Sequence, residues 1–322
     1  MSLDVETVIE RRRLRRQVGW WRALAILVAV ALLAVFTYSR ANDLGLSTGE
    51  QIARVTIEGV ITDDRERLKL LKKLAKNDSV RGVIVFVNSP GGTTTGGEGL
   101  YQELRDLSAK KPVVAQFGTV AASAAYIAGL GTDHIVARGN TITGSVGVLV
   151  QWPEISGLLE KLGVKMNEIK SGSLKAEPSL YNPISPDARA VTESMIEESK
   201  RWFVGLVEDR RKIDPSSVPG LLEGRVYSGR DAMRHKLVDR LGGEAAAVEW
   251  LVKTRGLPAG LRIVDWEPGQ ATPWSVQAAV ESFAKGLGAA FMDGLRSSFG
   301  ATGPLSTLGL DGLLSVWQPS KM

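Results

Sequence analysis

The chain has 322 residues, 44% of them hydrophobic, enough for one large core or two small ones. It has no cysteine and two histidines, which excludes disulfides, thiolate nucleophiles and cysteine-ligated metals and leaves few imidazoles for catalysis. The formal net charge of +5 is concentrated in Arg11, Arg12, Arg13, Arg15, Arg16 and Arg22, so it does not argue for nucleic-acid binding. The first predicted element follows these arginines, an apolar run over residues 23–38. A helix needs about 20 apolar residues to span a bilayer. The run reaches that length when residues 18–21 lie at the interface and Arg22 snorkels. Trp20, Trp21 and Tyr38 stand where interfacial aromatics belong, and the arginine excess places the N-terminus in the cytoplasm and the bulk outside. The rival is a cleaved signal peptide, because Ser39 and Ala41 are small at the right positions. The run is long for that role and Arg40 is unhelpful beside a cut.

The chain thus divides into a basic N-terminus over 1–17, an anchor over 18–38 and a polar linker over 39–50. The linker extends at most roughly 40 Å. A folded domain covers 51–256 and a C-terminal extension 257–322. In the domain, residues 51–61 are rich in β-branched side chains and 65–75 carry leucines at helical spacing. Residues 83–87 and 112–117 are continuous apolar runs, the mark of strands buried on both faces. Residues 99–109 and 120–130 read as helices, and 134–137 and 146–150 as further strands. A polar loop over 170–186 precedes a long helix to about residue 211, and 244–254 is a last helix of the domain. Alternating strands and helices predict an α/β fold with a largely parallel sheet and flanking helices. In the extension, Val276, Val280, Phe283, Leu287, Phe291 and Leu295 form an apolar stripe. Gly286, Gly288 and Gly294 weaken it as an isolated helix. It packs on its own domain, on a neighbouring subunit or on the membrane surface.

Ligands of parallel α/β sheets gather outside the carboxyl ends of the strands. Two loops are expected there: 88–92 (NSPGG) and 118–123 (GTVAAS). Ser123, at a helix start, would sit among N–H groups that favour developing negative charge. Gly91 and Ala124 could present backbone donors to an oxyanion. Taken singly, each motif also reads as a packing serine or a glycine turn. The glycine-rich segment 91–97 lacks the ending of a nucleotide P-loop. A serine needs a base. His134 starts a strand and His235 lies in a charged helix, so both read as structural. Lys170 and Lys175 lie in an unusual loop, KSGSLK, and a desolvated lysine can serve as a base.

These segments together resemble the signal peptide peptidase A family, membrane-bound bacterial serine-lysine proteases with a ClpP/crotonase-like fold. The resemblance runs over about 53–254 through NSPGG at 88–92, AASAAY at 121–126, TGSVGV at 143–148, KSGSLK at 170–175, GRVYSGRDA at 224–232 and LVDRLGG at 237–243. It looks like the short form, with one protease domain per chain. It implies that Ser123 is the nucleophile and Lys175 the general base. It further implies that Gly91, with Ala124, lines the oxyanion hole and that Ser145 orients the lysine. Ala124 replaces a glycine often found in the family. The resemblance implies a ring of subunits that share active sites between neighbours, and apolar signal-peptide remnants as substrates. It places the domain on the outer side of the bacterial cytoplasmic membrane, with no metal or cofactor needed. The alternatives are a crotonase-type acyl-CoA enzyme and a non-catalytic membrane scaffold of the same fold.

Overall fold

The computed structural model describes residues 20–22, 26–27 and 49–268 and the backbone of 314–316. Apart from Trp20, Trp21, Arg22, Ile26 and Leu27, which are helical, the expected anchor over 18–38 lies outside the described residues. Among the described residues no helix is long and apolar enough to cross a membrane. The apolar stripe over 276–295 also lies outside them.

The domain opens on strand β1 (Gln51–Ile61), helix α1 (Arg65–Lys76) and strand β2 (Val80–Thr93). Helix α2 (Thr94–Ser108), strand β3 (Val113–Ala122) and the short helix α3 (Ala124–Leu130) follow. Strands β4 (His134–Ala137) and β5 (Ile142–Gly144) lead to helices α4 (Ser156–Lys161) and α5 (Pro186–Arg211). The domain continues through strand β6 (Val226–Ser228), helix α6 (Gly229–Arg234), strand β7 (Arg240–Leu241), helix α7 (Glu244–Lys253) and strand β8 (Arg262–Trp266). A last strand, β9, is Leu314–Val316. The sheet runs β6-β5-β3-β2-β1-β8, with β4 on β3, β7 on β4 and β9 on β2. The ladders β1–β2, β2–β3, β1–β8, β3–β4, β3–β5 and β4–β7 are parallel. Those of β5–β6 and β2–β9 are antiparallel. The sheet therefore continues past residue 256, because β8 pairs along Gln51–Val55 of β1.

Both faces of the sheet are covered, which explains the continuous apolar runs. On β2 and β3, Val83, Val85, Val113 and Phe117 face a core shared with Leu71, Leu104, Ile127 and Phe203 from the helices. Ile52, Ile84, Val114 and Val136 point the other way, onto Ala247 and Leu251 of α7. Each such buried Val, Leu, Ile or Phe side chain stabilises the fold by about 1.5–3 kcal/mol relative to exposure. Local signals fix the helix starts. Asp64 caps α1 by accepting from the N–H groups of Glu66 and Arg67 at 3.0 and 3.1 Å. Ser185 caps α5 through Ala188 N–H at 3.2 Å, with Pro186 in its first turn.

Three sequence expectations change. Residues 88–92 are not a loop but the end of β2, and 120–122 belong to β3 rather than to a helix. Proline is normally kept out of central strands. Pro90 is tolerated because it has no partner in either ladder: β1 pairs Glu58 with Asn88 and then Val60 with Gly91, and β3 stops at Ser89. Residues 146–150 do not form a strand; Ile142–Gly144 takes that place in the sheet. Of that apolar run, Val146 is buried whereas Leu149 is exposed.

Candidate active site

The site lies where the parallel strands β5, β3 and β2 end side by side. The last pairs are Ala122 with Gly144 on one flank and Ser89 with Ala121 on the other. Ser123 follows at once, between β3 and α3. Its backbone has φ 60° and ψ −123°, outside the regions open to most L-residues. It is only 1% exposed. Strain of this kind costs of order 1–3 kcal/mol and persists only where its surroundings over-determine it.

Those surroundings are identifiable. Ser123 N–H donates to Gly144 O at 2.9 Å, and Ser123 O accepts from Ile127 N–H at 3.0 Å. The buried hydroxyls of Thr141 and Thr143 donate to Gly118 O and Ala121 O, each at 2.7 Å. Asn88 Oδ1 accepts from Thr119 N–H at 3.1 Å and Val120 N–H at 3.3 Å. Below α3, Tyr126 is fully buried and donates its hydroxyl to Leu237 O at 2.8 Å. Burial raises the pKa of that phenol above its ordinary value. The last apolar side chain of AASAAY is thus an anchor that holds the serine turn. Asn88, Thr141 and Thr143 have supporting roles that sequence reasoning missed, although Asn88 and Thr143 open the quoted motifs NSPGG and TGSVGV; the signal of Thr141 was a polar side chain at an apolar strand start.

The predicted partners distribute unevenly. Ser145, with φ 53°, begins the loop after β5 and donates its N–H to Arg225 O at 2.9 Å. It lines a groove of about 440 Å³ with Leu149, Ile196, Lys200 and Glu223. On the other flank, Gly91 has φ 113°, a conformation that favours glycine. Its N–H, the expected oxyanion donor, donates to Ser89 Oγ at 3.1 Å. Ala124, the other expected donor, is the buried first residue of α3. The fold therefore gathers Ser123, Ser145, Gly91 and Ala124 at one sheet edge.

Lys175 stands apart in character: it is exposed, in a turn closed by its own N–H to Gly172 O at 3.1 Å. Lys170 is held by Glu168 at 2.9 Å and Glu177 at 3.0 Å. Hydrogen bonds to these carboxylates raise its pKa, so Lys170 stays cationic and is a poor base. Both histidines are structural. His134 stacks on Trp250 with ring centroids 4.8 Å apart, and burial lowers its pKa. His235 packs edge-on to Tyr227 and lies 3.6 Å from Asp231. Among the described residues no group of His, Asp or Glu is arranged to hold a metal.

A buried, strained serine at the end of a parallel-sheet strand invites comparison with hydrolases. The sequence pattern of peptidase family S49 matches residues 105–258, and that of Clp protease matches residues 51–140. Two relatives share the name "Putative protease". The one from Synechocystis sp. is 35% identical over 66% of this chain and 76% of its own length. The one from Methanocaldococcus jannaschii is 34% identical over 71% of this chain and 78% of its own. The chain belongs to peptidase family S49. Protease 4 of Haemophilus influenzae is 34% identical over 64% of this chain but only 35% of its own length. At the level of the family, the chain is a serine protease with an α/β, ClpP-like fold and a mostly parallel sheet. That membership favours peptide-bond chemistry over the acyl-CoA chemistry of the crotonase alternative.

Proposed function

We propose that this protein is a membrane-anchored endopeptidase working through a Ser123–Lys175 dyad contributed by two neighbouring copies. The observation that carries the reading is the buried, strained Ser123 at the junction of β3 and α3. Ser123 Oγ attacks the substrate carbonyl and forms an ester bond. Lys175 takes the hydroxyl proton and returns it to the amine as the C–N bond breaks. Water then hydrolyses the acyl-enzyme. Gly91 and Ala124 N–H groups support the oxyanion, which competes with Ser89 Oγ for the Gly91 donor. Ser145 orients the lysine amine.

The shared site is supported by the character of residues 149–180. Leu158, Leu162 and Ile169 are 57%, 67% and 105% exposed, in the same stretch as Lys175. An apolar stretch of this kind marks an association surface, and a second copy seated there would carry its lysine loop toward a neighbour's serine. The anchor rests on the arginine cluster and the apolar run of 23–38. It would hold the site beside the outer face of the membrane, where signal-peptide remnants and other apolar segments are met. The test is complementation. Ser123→Ala and Lys175→Ala proteins, each inactive, are mixed under conditions of subunit exchange. Random pairing leaves about a quarter of interfaces with both intact residues, and activity should return to that order. No recovery, with exchange verified by mass, places the dyad within one chain.

A further inference from the structure

The loop that carries Lys175 is braced at its two ends. Every residue from 171 to 176 is exposed. The residues that flank them are not: the side chains of Lys170 and Glu177 are 20% and 13% exposed. Lys170 Nζ donates to Glu177 Oε1 at 3.0 Å, which closes the loop across its base. The closure is fixed on both sides. Upstream, Lys170 also pairs with Glu168 at 2.9 Å, and Glu168 Oε2 accepts from Asn182 Nδ2 at 3.4 Å. Downstream, Glu177 Oε2 accepts from Ser179 N–H at 3.1 Å, and the buried Ser179 accepts at Oγ from Tyr181 N–H at 3.1 Å. Leu180 O accepts from Ile155 N–H at 2.9 Å, which ties this end to the residue before α4.

Resting on the reading of Lys175 as the general base, we propose that Lys170 and Glu177 are a positioning pair, a clamp that fixes the loop presenting Lys175 to the serine of a neighbouring copy. An ion pair at a surface contributes little to stability, because water screens it. This one closes a loop, and closure removes chain freedom from the residues inside it. The backbone beside the base needs such a restraint. Ala176, between Lys175 and Glu177, has φ 62°, a left-handed conformation that a residue with a Cβ seldom adopts. A turn of this kind persists only where its surroundings hold it, and Glu177 is the anchored residue next to it. The chemistry has the same need: a misplacement of about 1 Å can cost roughly a hundredfold in rate. Lys170 has a second effect. It occupies Glu168 and Glu177, carboxylates that would otherwise be free to pair with the Lys175 ammonium and draw it away from the serine.

The experiment uses the full-length protein in detergent and an apolar reporter peptide. Lys170→Met and Glu177→Ala should each lower kcat about tenfold, with KM within about twofold of the parent and the particle mass unchanged. The double variant should be no more than about twofold worse than either single one, because both remove the same contact. Lys170→Arg should recover at least about half of the parent kcat. Arginine keeps the charge and the donors but does not serve as a base. Amide exchange over residues 171–176 should become at least about tenfold faster in Lys170→Met and return to the parent rate in Lys170→Arg. Unchanged exchange and unchanged kcat in Lys170→Met would overturn the clamp. So would losses that multiply in the double variant, or a Lys170→Arg protein as slow as Lys170→Met, which would make Lys170 a proton carrier. A fall in particle mass that accounts for the lost activity would also overturn it, by assigning the pair to subunit contact. The underlying reading is tested separately. Turnover in Lys175→Arg would remove Lys175 as the base, whereas faster exchange in Lys170→Met would still support the brace on the loop.

Discussion

The edge around Ser123 and the stretch from 149 to 180 are built in opposite ways. At the edge, Ser123 is 1% exposed, and the carbonyls and N–H groups around it are held by Asn88, Thr141 and Thr143. In the other stretch, Leu149, Leu158, Leu162, Val164, Met166, Ile169, Leu174 and Leu180 are all exposed, and so is Lys175. A single chain thus encloses Ser123 and leaves the loop of Lys175 exposed. A strained turn needs a rigid frame, and the parallel sheet provides one. Under the proposed shared site, the exposed loop would gain its packing on assembly with another copy.

The comparison breaks most sharply on the dyad. Ser123→Ala, Lys175→Ala and Lys175→Arg should each lower kcat by more than about 10³, since residues that act as a unit fail together. Arginine fails because it does not deprotonate at usable pH. Thermal melts of all three should match the parent protein. Robust turnover in Lys175→Arg would remove lysine from the mechanism. The next effect concerns the exposed stretch. Leu162→Asp with Ile169→Asp should reduce particle mass in light scattering and lower activity by at least about tenfold, because charge is disfavoured at an interface core. Retention of mass would mean that this surface is not the contact.

A smaller effect is expected on the rigid side. Asn88→Ala leaves Thr119 and Val120 N–H without their acceptor. Water reaches the exposed Thr119, so the stability loss should be about 1 kcal/mol by denaturant titration. The loss in kcat should exceed what that fraction unfolded explains. The smallest effect is a pH dependence away from the site. Burial lowers the pKa of His134 in the fold, so the unfolded chain binds its proton more readily. Its contribution is complete above the ordinary imidazole range and is lost as pH falls through that range toward the lower folded-state value. His134→Phe should keep a ring against Trp250 and reduce the drop in melting temperature between about pH 7.5 and about pH 5.5. An unchanged drop would assign the acid sensitivity to another group.

Much of this was legible in the residues. The apolar runs at 83–87 and 112–117 required strands covered on both faces, and the helix from Pro186 to Arg211 was expected after the polar loop. Ser123 was visible as the one serine at a strand-to-helix junction among alanines. What misled was punctuation. Asn88-Ser89-Pro90-Gly91-Gly92 reads as a loop, since proline and glycine usually end strands. The pairing of β1 carries the strand through it, with Pro90 in the irregularity where neither neighbour needs its N–H. The apolar run at 146–150 reads as a strand, but an apolar run alone does not distinguish a buried strand from a loop that leaves Leu149 exposed.

By itself, then, the sequence determined the class of fold and a short set of chemical groups, because side-chain period and turn chemistry are local properties. Only the tertiary structure decided which strand ends meet, and so which groups share a site. The crossing of β3 between β2 and β5 puts Gly91, Ser123 and Ser145 on one edge. The same crossing vacates the edge of β2 that Leu314–Val316 occupies, more than 200 residues along the chain from Gly91. No local pattern encodes that contact, since main-chain pairing is indifferent to the side chains that carry the sequence.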